Sequence, residues 1–231
     1  MTTTTPQQYV KYTFYKVDPK WRRLSEDIRA AGKREFASVL AEFESQLIIR
    51  TYSTMGMRGD TDILLWCVGS TLEAIQDLAS QLARTQLGAY LDTPHSYLAM
   101  TKRSTYLDDH EHEGSESRTH IRPMDKPYFF VYPFVKTHDW YQLSFDERQR
   151  MMNEHFKVGH KYPGVKIHTS YSFGLDDQEF VLGFEASNPA EFLDLVMELR
   201  SAEQRPYTER DVPIFTCLLG PAEQVLDSLG G

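Results

Sequence analysis

The sequence is poor in cysteine, in basic residues and in long apolar runs. It has only two cysteines, Cys67 and Cys217, without CxxC spacing, and both are interpreted as buried thiols. The 25 lysines and arginines are outnumbered by 33 aspartates and glutamates, and the net charge of -8 opposes an extended nucleic-acid-binding surface. No run approaches the roughly 18 apolar residues of a membrane span, and no signal-peptide pattern opens the chain. We therefore expect a cytoplasmic protein without a membrane span.

Short motifs of several enzyme classes are absent as well. The chain contains no GxGxxG, GxxxxGK[ST], HExxH or GxSxG, the patterns of dinucleotide, phosphate, zinc-protease and serine-hydrolase sites. Its 41% hydrophobic and 25% charged residues are ordinary for a globular protein. A compact anionic ligand is compatible with the acidic balance, because a pocket needs only local cations.

A weak internal repeat organises the chain. The corresponding positions of the two opening strands are Tyr12, Phe14 and Lys16 in the first copy and Tyr132, Phe134 and Lys136 in the second. Each copy continues with a helix, two strands, a second helix and an apolar strand, the order β-α-β-β-α-β. This order predicts an α+β fold of two tandem ferredoxin-like halves with packed antiparallel sheets, of the dimeric α+β barrel type.

The repeat also predicts where the two halves begin and end. We place the N-terminal, structural half at 1–107 and the C-terminal half at 126–231, with a linker at 108–125. The linker contains DDHEHEGSESRTH, which is polar, charged and without periodicity. Its His110 and His112 are either a surface metal site or, as is usual in such a loop, solvated side chains.

One helix of the second half presents a histidine between small and sulfur-containing side chains. Ser144 and Glu147 form a capping-box pattern that predicts where this helix begins. His155 lies four residues after Met151 and four before Gly159, so the three share one helix face. His155 is either an ordinary helical histidine or a metal ligand that a flat macrocycle can approach.

The opening strand of the second half has an aromatic face. Alternation places Phe130, Tyr132, Phe134 and Lys136 on one side of the strand. This face would suit an aromatic ligand that bears carboxylates, with Lys136 as the charge partner. Because the first half carries the same pattern, the alternative is that the face is inherited repeat architecture.

Longer runs of the second half carry a family resemblance. VYPFVKTHDWYQL, DERQRMMNEHFKVGHKYPGVKIHTSYSFGLDDQEFVLGFE and LVMELRSAEQRPYTERDVPIFT resemble the chlorite dismutase-like heme protein family. Within it, the coproheme decarboxylases of actinobacterial type are most similar. YPFVK and MMNEH together are specific, and residues 126–217 match closely.

The resemblance implies a heme-type ligand in the second half and a homopentameric ring. The implied activity is the hydrogen peroxide-dependent decarboxylation of two propionates of iron coproporphyrin III (coproheme), which gives heme b. One alternative is a heme-binding, peroxidase-like or chlorite dismutase-like protein without decarboxylase turnover. Another is a monooxygenase or small-molecule-binding module of the α+β barrel type, without heme.

The resemblance also assigns roles to single residues. His155 in MMNEH matches the proximal iron ligand, and Tyr132 in YPFVK matches the tyrosine whose radical abstracts a hydrogen from the propionate. Lys136 matches a lysine near a reacting propionate. Arg103 and Tyr97, near the end of the first half, are further candidates for binding propionates.

The distal side of the expected heme has two candidate bases. Chlorite dismutases proper carry an arginine on the strand before the GLDD turn, where this chain has Ile167, so chlorite chemistry is disfavoured. The resemblance makes His120 in THIRP the distal base, and His168, next to Ile167, is the alternative. Because Ile167 and His168 point to opposite faces of the strand, at most one of them lines a given pocket.

Overall fold

The computed structural model describes residues 7–106 and 120–230. The chain divides into two compact units: Met1–Met100 with Phe215–Gly231 form the first, and Thr101–Ile214 form the second. Each unit consists of an antiparallel sheet with helices, so the predicted α+β class is confirmed. The predicted linker lies outside the described residues except for 120–125, as do His110 and His112.

The first unit contains one complete ferredoxin-like repeat. Its elements are β1 (Tyr9–Val17), α1 (Glu26–Phe43), β2 (Leu47–Ser53), β3 (Ile63–Gly69), α2 (Leu72–Arg84) and β4 (Leu91–Met100). The strands lie in the order β4-β1-β3-β2, all antiparallel. One core cluster between sheet and helices includes Trp21, Phe36, Leu40, Leu78 and Leu82.

The second unit repeats the same topology. Its elements are β5 (Tyr128–Lys136), α3 (His138–Gln142), α4 (Phe145–His160), β6 (Val165–Tyr171), β7 (Phe180–Ala186), α5 (Pro189–Leu199) and β8 (Thr208–Arg210). The strands lie in the order β6-β7-β5-β8. This is the order of the first unit, with β8 in the place of β4.

The last apolar strand, predicted to close the second half, is β9 (Phe215–Leu219), and the division of the chain assigns it to the first unit. It pairs with β2, with Tyr52 opposite Leu219. α6 (Ala222–Asp227) follows, and its Val225 and Leu226 enter the core of the first unit. The chain from Phe215 onward therefore belongs to the first unit, because its apolar side chains are buried there.

Local sequence signals explain the ends of the second unit's elements. Ser144 and Glu147 make the predicted capping box at the start of α4, and Asn188 with Pro189 begins α5. Gly174 adopts φ 73° in the turn between β6 and β7, a backbone conformation that favours glycine. No helix in the described part of the chain is long and apolar enough to cross a membrane.

Candidate functional site

Three cross-strand rows of side chains cover one face of the second unit's sheet. The register of β5, β7 and β6 aligns Phe130 with Phe184 and Ile167, Tyr132 with Leu182 and Thr169, and Phe134 with Phe180 and Tyr171. The rings of Tyr132 and Phe184 stack with centroids 5.6 Å apart. The predicted aromatic face of β5 thus extends across three strands, and Ile167 shares it.

Helix α4 turns one stripe of residues toward this sheet face. Met151, His155 and Val158 follow each other at helical spacing, and Met151 and Val158 are buried. Val158 packs in one core cluster with Phe130, Tyr132 and Phe184. His155 lies between two residues of the buried stripe, so its half-buried imidazole points into the second unit rather than to the exposed side of α4.

A chain of hydrogen bonds joins His155 to Lys136. The Lys136 ammonium donates to Gln204 Oε1 at 2.6 Å, and Gln204 Nε2 lies 3.4 Å from His155 Nδ1. Lys136 and Gln204 are both buried, and the Lys136 Nζ lies 4.1 Å from the centroid of the Trp140 ring. Because Gln204 faces Nδ1, the nitrogen of His155 that remains for a metal is Nε2.

Burial controls the charge of both ends of this chain. It lowers the pKa of Lys136 to about 7, a shift that nearby Glu179 opposes and Arg205 increases. Burial, together with the Lys136 charge, lowers the pKa of His155 to about 4. The imidazole is therefore neutral at pH 7, the form in which histidine binds metals.

Tyr132 is buried next to a charged cluster. Burial raises the pKa of its phenol, and the charges of Asp211, Arg200 and Arg205 modify that shift. Asp211 Oδ2 accepts hydrogen bonds from Arg200 at 2.6 Å and from Arg205 at 2.7 Å. The phenol is therefore protonated at neutral pH, and two guanidinium groups are close enough to act on it electrostatically.

His168 lies on the opposite face of the sheet from Ile167. Its Nε2 is 2.7 Å from Glu185 Oε2, and both side chains are buried. Ile167 is 41% exposed. Ile167 and His168 thus lie on opposite faces of the sheet, and of the two it is Ile167 that shares the face of Tyr132.

Glu185 also holds the segment that leads from His120 into β5. Its two carboxylate oxygens accept the Met124 backbone N–H at 2.9 and 3.1 Å. Ile121, next to the half-buried His120, is buried, and Lys126 Nζ donates to the Gly164 carbonyl at 2.5 Å. The backbone after His120 is therefore fixed at several points.

Tyr97 and Arg103, the two predicted propionate ligands of the first half, fall in different units. Tyr97 belongs to β4 of the first unit, where its ring packs against Phe14 and Phe215. Arg103 is exposed and belongs to the second unit. Their roles stay predictions.

Comparison with known proteins shows the family of this chain. The sequence profile described as chlorite dismutase matches residues 29–219. The chain belongs to the chlorite dismutase family. It is 31% identical over 217 residues to a protein named coproheme decarboxylase from Mycolicibacterium smegmatis, covering 90% of this chain and 88% of the relative. A coproheme decarboxylase from Staphylococcus carnosus is 29% identical over 212 residues, with 84% of each chain covered.

Solved structures of the chlorite dismutase family share the fold. A chlorite dismutase variant from Candidatus Nitrospira defluvii superposes with a TM-score of 0.88 at 23% identity, covering 97% of this chain and 95% of that one. A heme-binding protein from Thermus thermophilus gives a TM-score of 0.86 at 22% identity, with 96% and 94% covered. At these identities the superpositions show the fold alone.

The second unit fits the heme-type group that this family suggests. A neutral imidazole lies in the stripe of α4 that meets the aromatic sheet face. No cluster of three or more histidine, cysteine, aspartate or glutamate side chains suited to a bare metal ion occurs in residues 7–106 and 120–230. A single imidazole facing an apolar, aromatic wall suits an iron whose remaining ligands come from a macrocycle.

Sequence reasoning missed five residues around the site, namely Arg200, Gln204, Arg205, Asp211 and Glu185. The first four lie in RSAEQRPYTERD, which was quoted for its family resemblance and not for its chemistry. The charged residues around this short 3-10 helix indicate local charge, but not that Arg200, Arg205 and Asp211 meet. Nothing in the spacing indicates that Gln204 reaches His155, because 49 residues separate them.

Proposed function

We propose that this protein binds iron coproporphyrin III in its second unit and converts two propionates to vinyl groups with hydrogen peroxide, giving heme b. The observation that carries the proposal is the pairing of two groups within one small unit. A neutral histidine on α4 and a buried, protonated tyrosine on β5 belong to elements that share one core cluster. Relatives named coproheme decarboxylase at 31% and 29% identity support it.

His155 would hold the iron through Nε2, and the bound iron would reduce peroxide and so supply the oxidising equivalents. Each propionate that becomes a vinyl loses carbon dioxide, one proton and two electrons. One hydrogen peroxide takes up these two electrons and two protons, one from the propionate and one from solvent, and becomes two waters. Tyr132 would first lose an electron and its phenolic proton, then take a hydrogen atom from the propionate side chain. Burial suits this role, because it keeps the phenol protonated until it is oxidised.

We assign the distal base to His120, which would take a proton from peroxide. The alternative, His168, is hydrogen-bonded to Glu185 on the other face of the sheet from Tyr132 and Ile167. Ile167 itself offers no hydrogen-bond donor to an anion. Chlorite breakdown is therefore the less suitable chemistry for this site, since it needs a group that binds the chlorite anion.

Carboxylates of the substrate need cationic partners. Lys136 would orient one of them, although in this structure its ammonium donates to Gln204. Arg200 and Arg205, whose charges act on Tyr132, would be further cationic partners; both are bonded to Asp211 in this structure. A guanidinium can bind a carboxylate through two parallel hydrogen bonds.

A homopentameric assembly and a cytoplasmic location complete the proposal. The family resemblance supports the first. The two buried, free cysteines, Cys67 and Cys217, fit a reducing compartment.

The test is a titration of the purified apoprotein with ferric coproheme, followed by hydrogen peroxide and separation of the products by chromatography and mass. Iron-free coproporphyrin III is the matched control ligand. Conversion of coproheme to heme b, with no change in the iron-free ligand, is expected. Tight binding of heme b without any loss of carboxyl groups would instead identify a heme carrier, and no binding of either would remove the heme assignment.

His155→Ala checks the metal ligand separately. Loss of the imidazole should weaken binding of ferric coproheme and shift its Soret band. An unchanged spectrum would mean that another residue binds the iron.

A further inference from the structure

The hydrogen bond between Lys136 and Gln204 fixes which end of the Gln204 amide faces His155. An ammonium group has donors and no acceptor. Lys136 can therefore bond only to the carbonyl oxygen of the amide, and that oxygen lies 2.6 Å from Nζ. The NH2 group of the same amide is left to face His155 Nδ1, at 3.4 Å.

This polarity decides where the imidazole of His155 carries its proton. An NH2 group donates hydrogen bonds, so its partner on His155 must accept one. A neutral imidazole has one N–H and one acceptor nitrogen. With Nδ1 as the acceptor, the hydrogen is on Nε2, which is the nitrogen that would bind iron.

Iron ligation requires the opposite arrangement. When Nε2 gives its lone pair to a metal, the hydrogen of the neutral ring is on Nδ1, and Nδ1–H needs an acceptor. The Gln204 amide already faces Nδ1, so its carbonyl oxygen can serve as that acceptor. That oxygen faces Nδ1 only if the amide turns over.

We infer that Gln204 is a positioning residue whose amide reverses when His155 binds iron, which withdraws the acceptor from the Lys136 ammonium. The inference rests on the proposed function insofar as His155 is the iron ligand. Before loading, Lys136 and Gln204 hold His155 in the tautomer that cannot bind iron. Loading therefore breaks both hydrogen bonds of the Gln204 amide, to Lys136 and to His155, and forms one new bond, from Nδ1–H of His155 to Oε1.

The surroundings of Lys136 provide few replacements for the lost acceptor. Glu179 Oε2 accepts the Lys136 backbone N–H at 2.7 Å and the Tyr141 hydroxyl at 2.7 Å. Arg205 also acts on Lys136 as a like charge and is bonded to Asp211. Trp140 contacts the ammonium through its ring face. After reversal of the amide, the Lys136 ammonium would therefore need a carboxylate as its acceptor, either that of Glu179 or that of an incoming ligand.

A carboxylate at position 204 would remove the conflict. Both of its oxygens accept, so one can face Lys136 and the other Nδ1–H without any reversal. Gln204→Glu should therefore raise the affinity for ferric coproheme about tenfold, the effect of one charge-assisted hydrogen bond. It should also raise the iron–histidine stretching frequency of the ferrous protein and lower its reduction potential, because a stronger acceptor makes the ligand more basic.

The test begins with the apoprotein and needs no iron. The ring nitrogens of His155 are observed by NMR in protein labelled with 15N-histidine, at pH 6, and His155→Gln identifies the signals. We expect the wild-type ring to carry its hydrogen on Nε2 and the Gln204→Glu ring to carry it on Nδ1. Lys136→Met, which frees the amide to rotate, should give a mixture.

Each outcome decides one point. A wild-type hydrogen on Nδ1, or an unchanged tautomer in Gln204→Glu, would overturn the inference while leaving the proposed function standing. If the tautomers are as expected but the Soret band is unchanged in His155→Ala, the direction of the hydrogen bonds is confirmed and His155 is not the iron ligand. The wild-type measurement alone decides which nitrogen carries the hydrogen, so the inference can still be tested if a variant fails to fold.

Discussion

Lys16 and Lys136 occupy corresponding positions in the two repeats but have different partners. Lys16 Nζ lies 2.8 Å from Asp62, whereas Lys136 Nζ donates to Gln204 at 2.6 Å. Asp62 and Glu179 each directly precede the third strand of their repeat, and they accept the backbone N–H of Val17 and of Lys136 at 3.0 and 2.7 Å. A carboxylate thus bonds to the end of the first strand in both repeats, but the lysine ammonium bonds to that carboxylate in the first repeat and to Gln204, the partner of His155, in the second.

This difference predicts that Lys136, and not Lys16, affects the pKa of His155. Lys136→Met removes a positive charge that lowers the pKa of His155, so that pKa should rise while staying below its ordinary value because of burial. Lys16→Met is the matched control. It should leave His155 unchanged and lower the free energy of unfolding by about 1–3 kcal/mol, since Asp62 loses its cation. An NMR titration of His155 checks the first effect, and an equal rise in both variants would refute the divergence.

Tyr132→Phe should separate binding from turnover. The ring remains to stack on Phe184, so affinity for coproheme should stay within about twofold, while formation of the first vinyl falls by about two orders of magnitude or more. Tyr12→Phe makes the same change at the corresponding buried position of the first repeat and should leave the rate intact. Single-turnover product analysis measures both, and a Tyr132→Phe protein with full activity would rule out the radical role.

Glu185 is predicted to order the segment that carries His120. Glu185→Gln weakens the acceptor for Met124 N–H and for His168 without changing side-chain size. Hydrogen exchange at the Met124 amide should accelerate about tenfold or more, and the reaction with peroxide should slow. Asp62→Asn, another buried carboxylate that accepts a backbone N–H, serves as the control. Unaltered exchange at Met124 in Glu185→Gln would argue against this role.

His155 also predicts an acid-sensitive stability. Its pKa is lowered from 6.5 to about 4 in the folded protein, so between these values the unfolded chain binds more protons. The free energy of unfolding should therefore rise with pH across this window, by about 3 kcal/mol from this group. Urea denaturation at a series of pH values, compared with His155→Gln, measures the effect. An identical pH profile in the variant would show that His155 titrates normally.

The sequence predicts the helices and strands well because strand alternation and helix capping are local patterns. The alternation in β5 and the capping box of α4 indicate their elements directly, and the repeat supplies the order. The strand Phe215–Leu219 was predictable as an element, but its pairing with β2 was not, because an apolar strand fits either sheet by composition. The burial of Val225 and Leu226 in the core of the first unit was likewise not visible in the sequence.

The site was predictable where it follows strand or helix periodicity, as Tyr132, Lys136, His155 and Ile167 do. Gln204 and the Arg200–Asp211–Arg205 cluster were not, since their positions depend on how the chain after α5 returns to β5. The side of the sheet on which His168 lies follows from alternation. Its bond to Glu185 does not, because no local pattern connects β6 and β7 side chains.

A stepwise hydrogen peroxide titration of the coproheme-loaded protein, with the porphyrin products quantified by mass after each addition, tests the proposed decarboxylation directly. Two successive losses of carbon dioxide are expected, each complete at one equivalent of peroxide, with heme b as the end product. Bleaching of the porphyrin with all four propionates intact would show that the protein is not a decarboxylase.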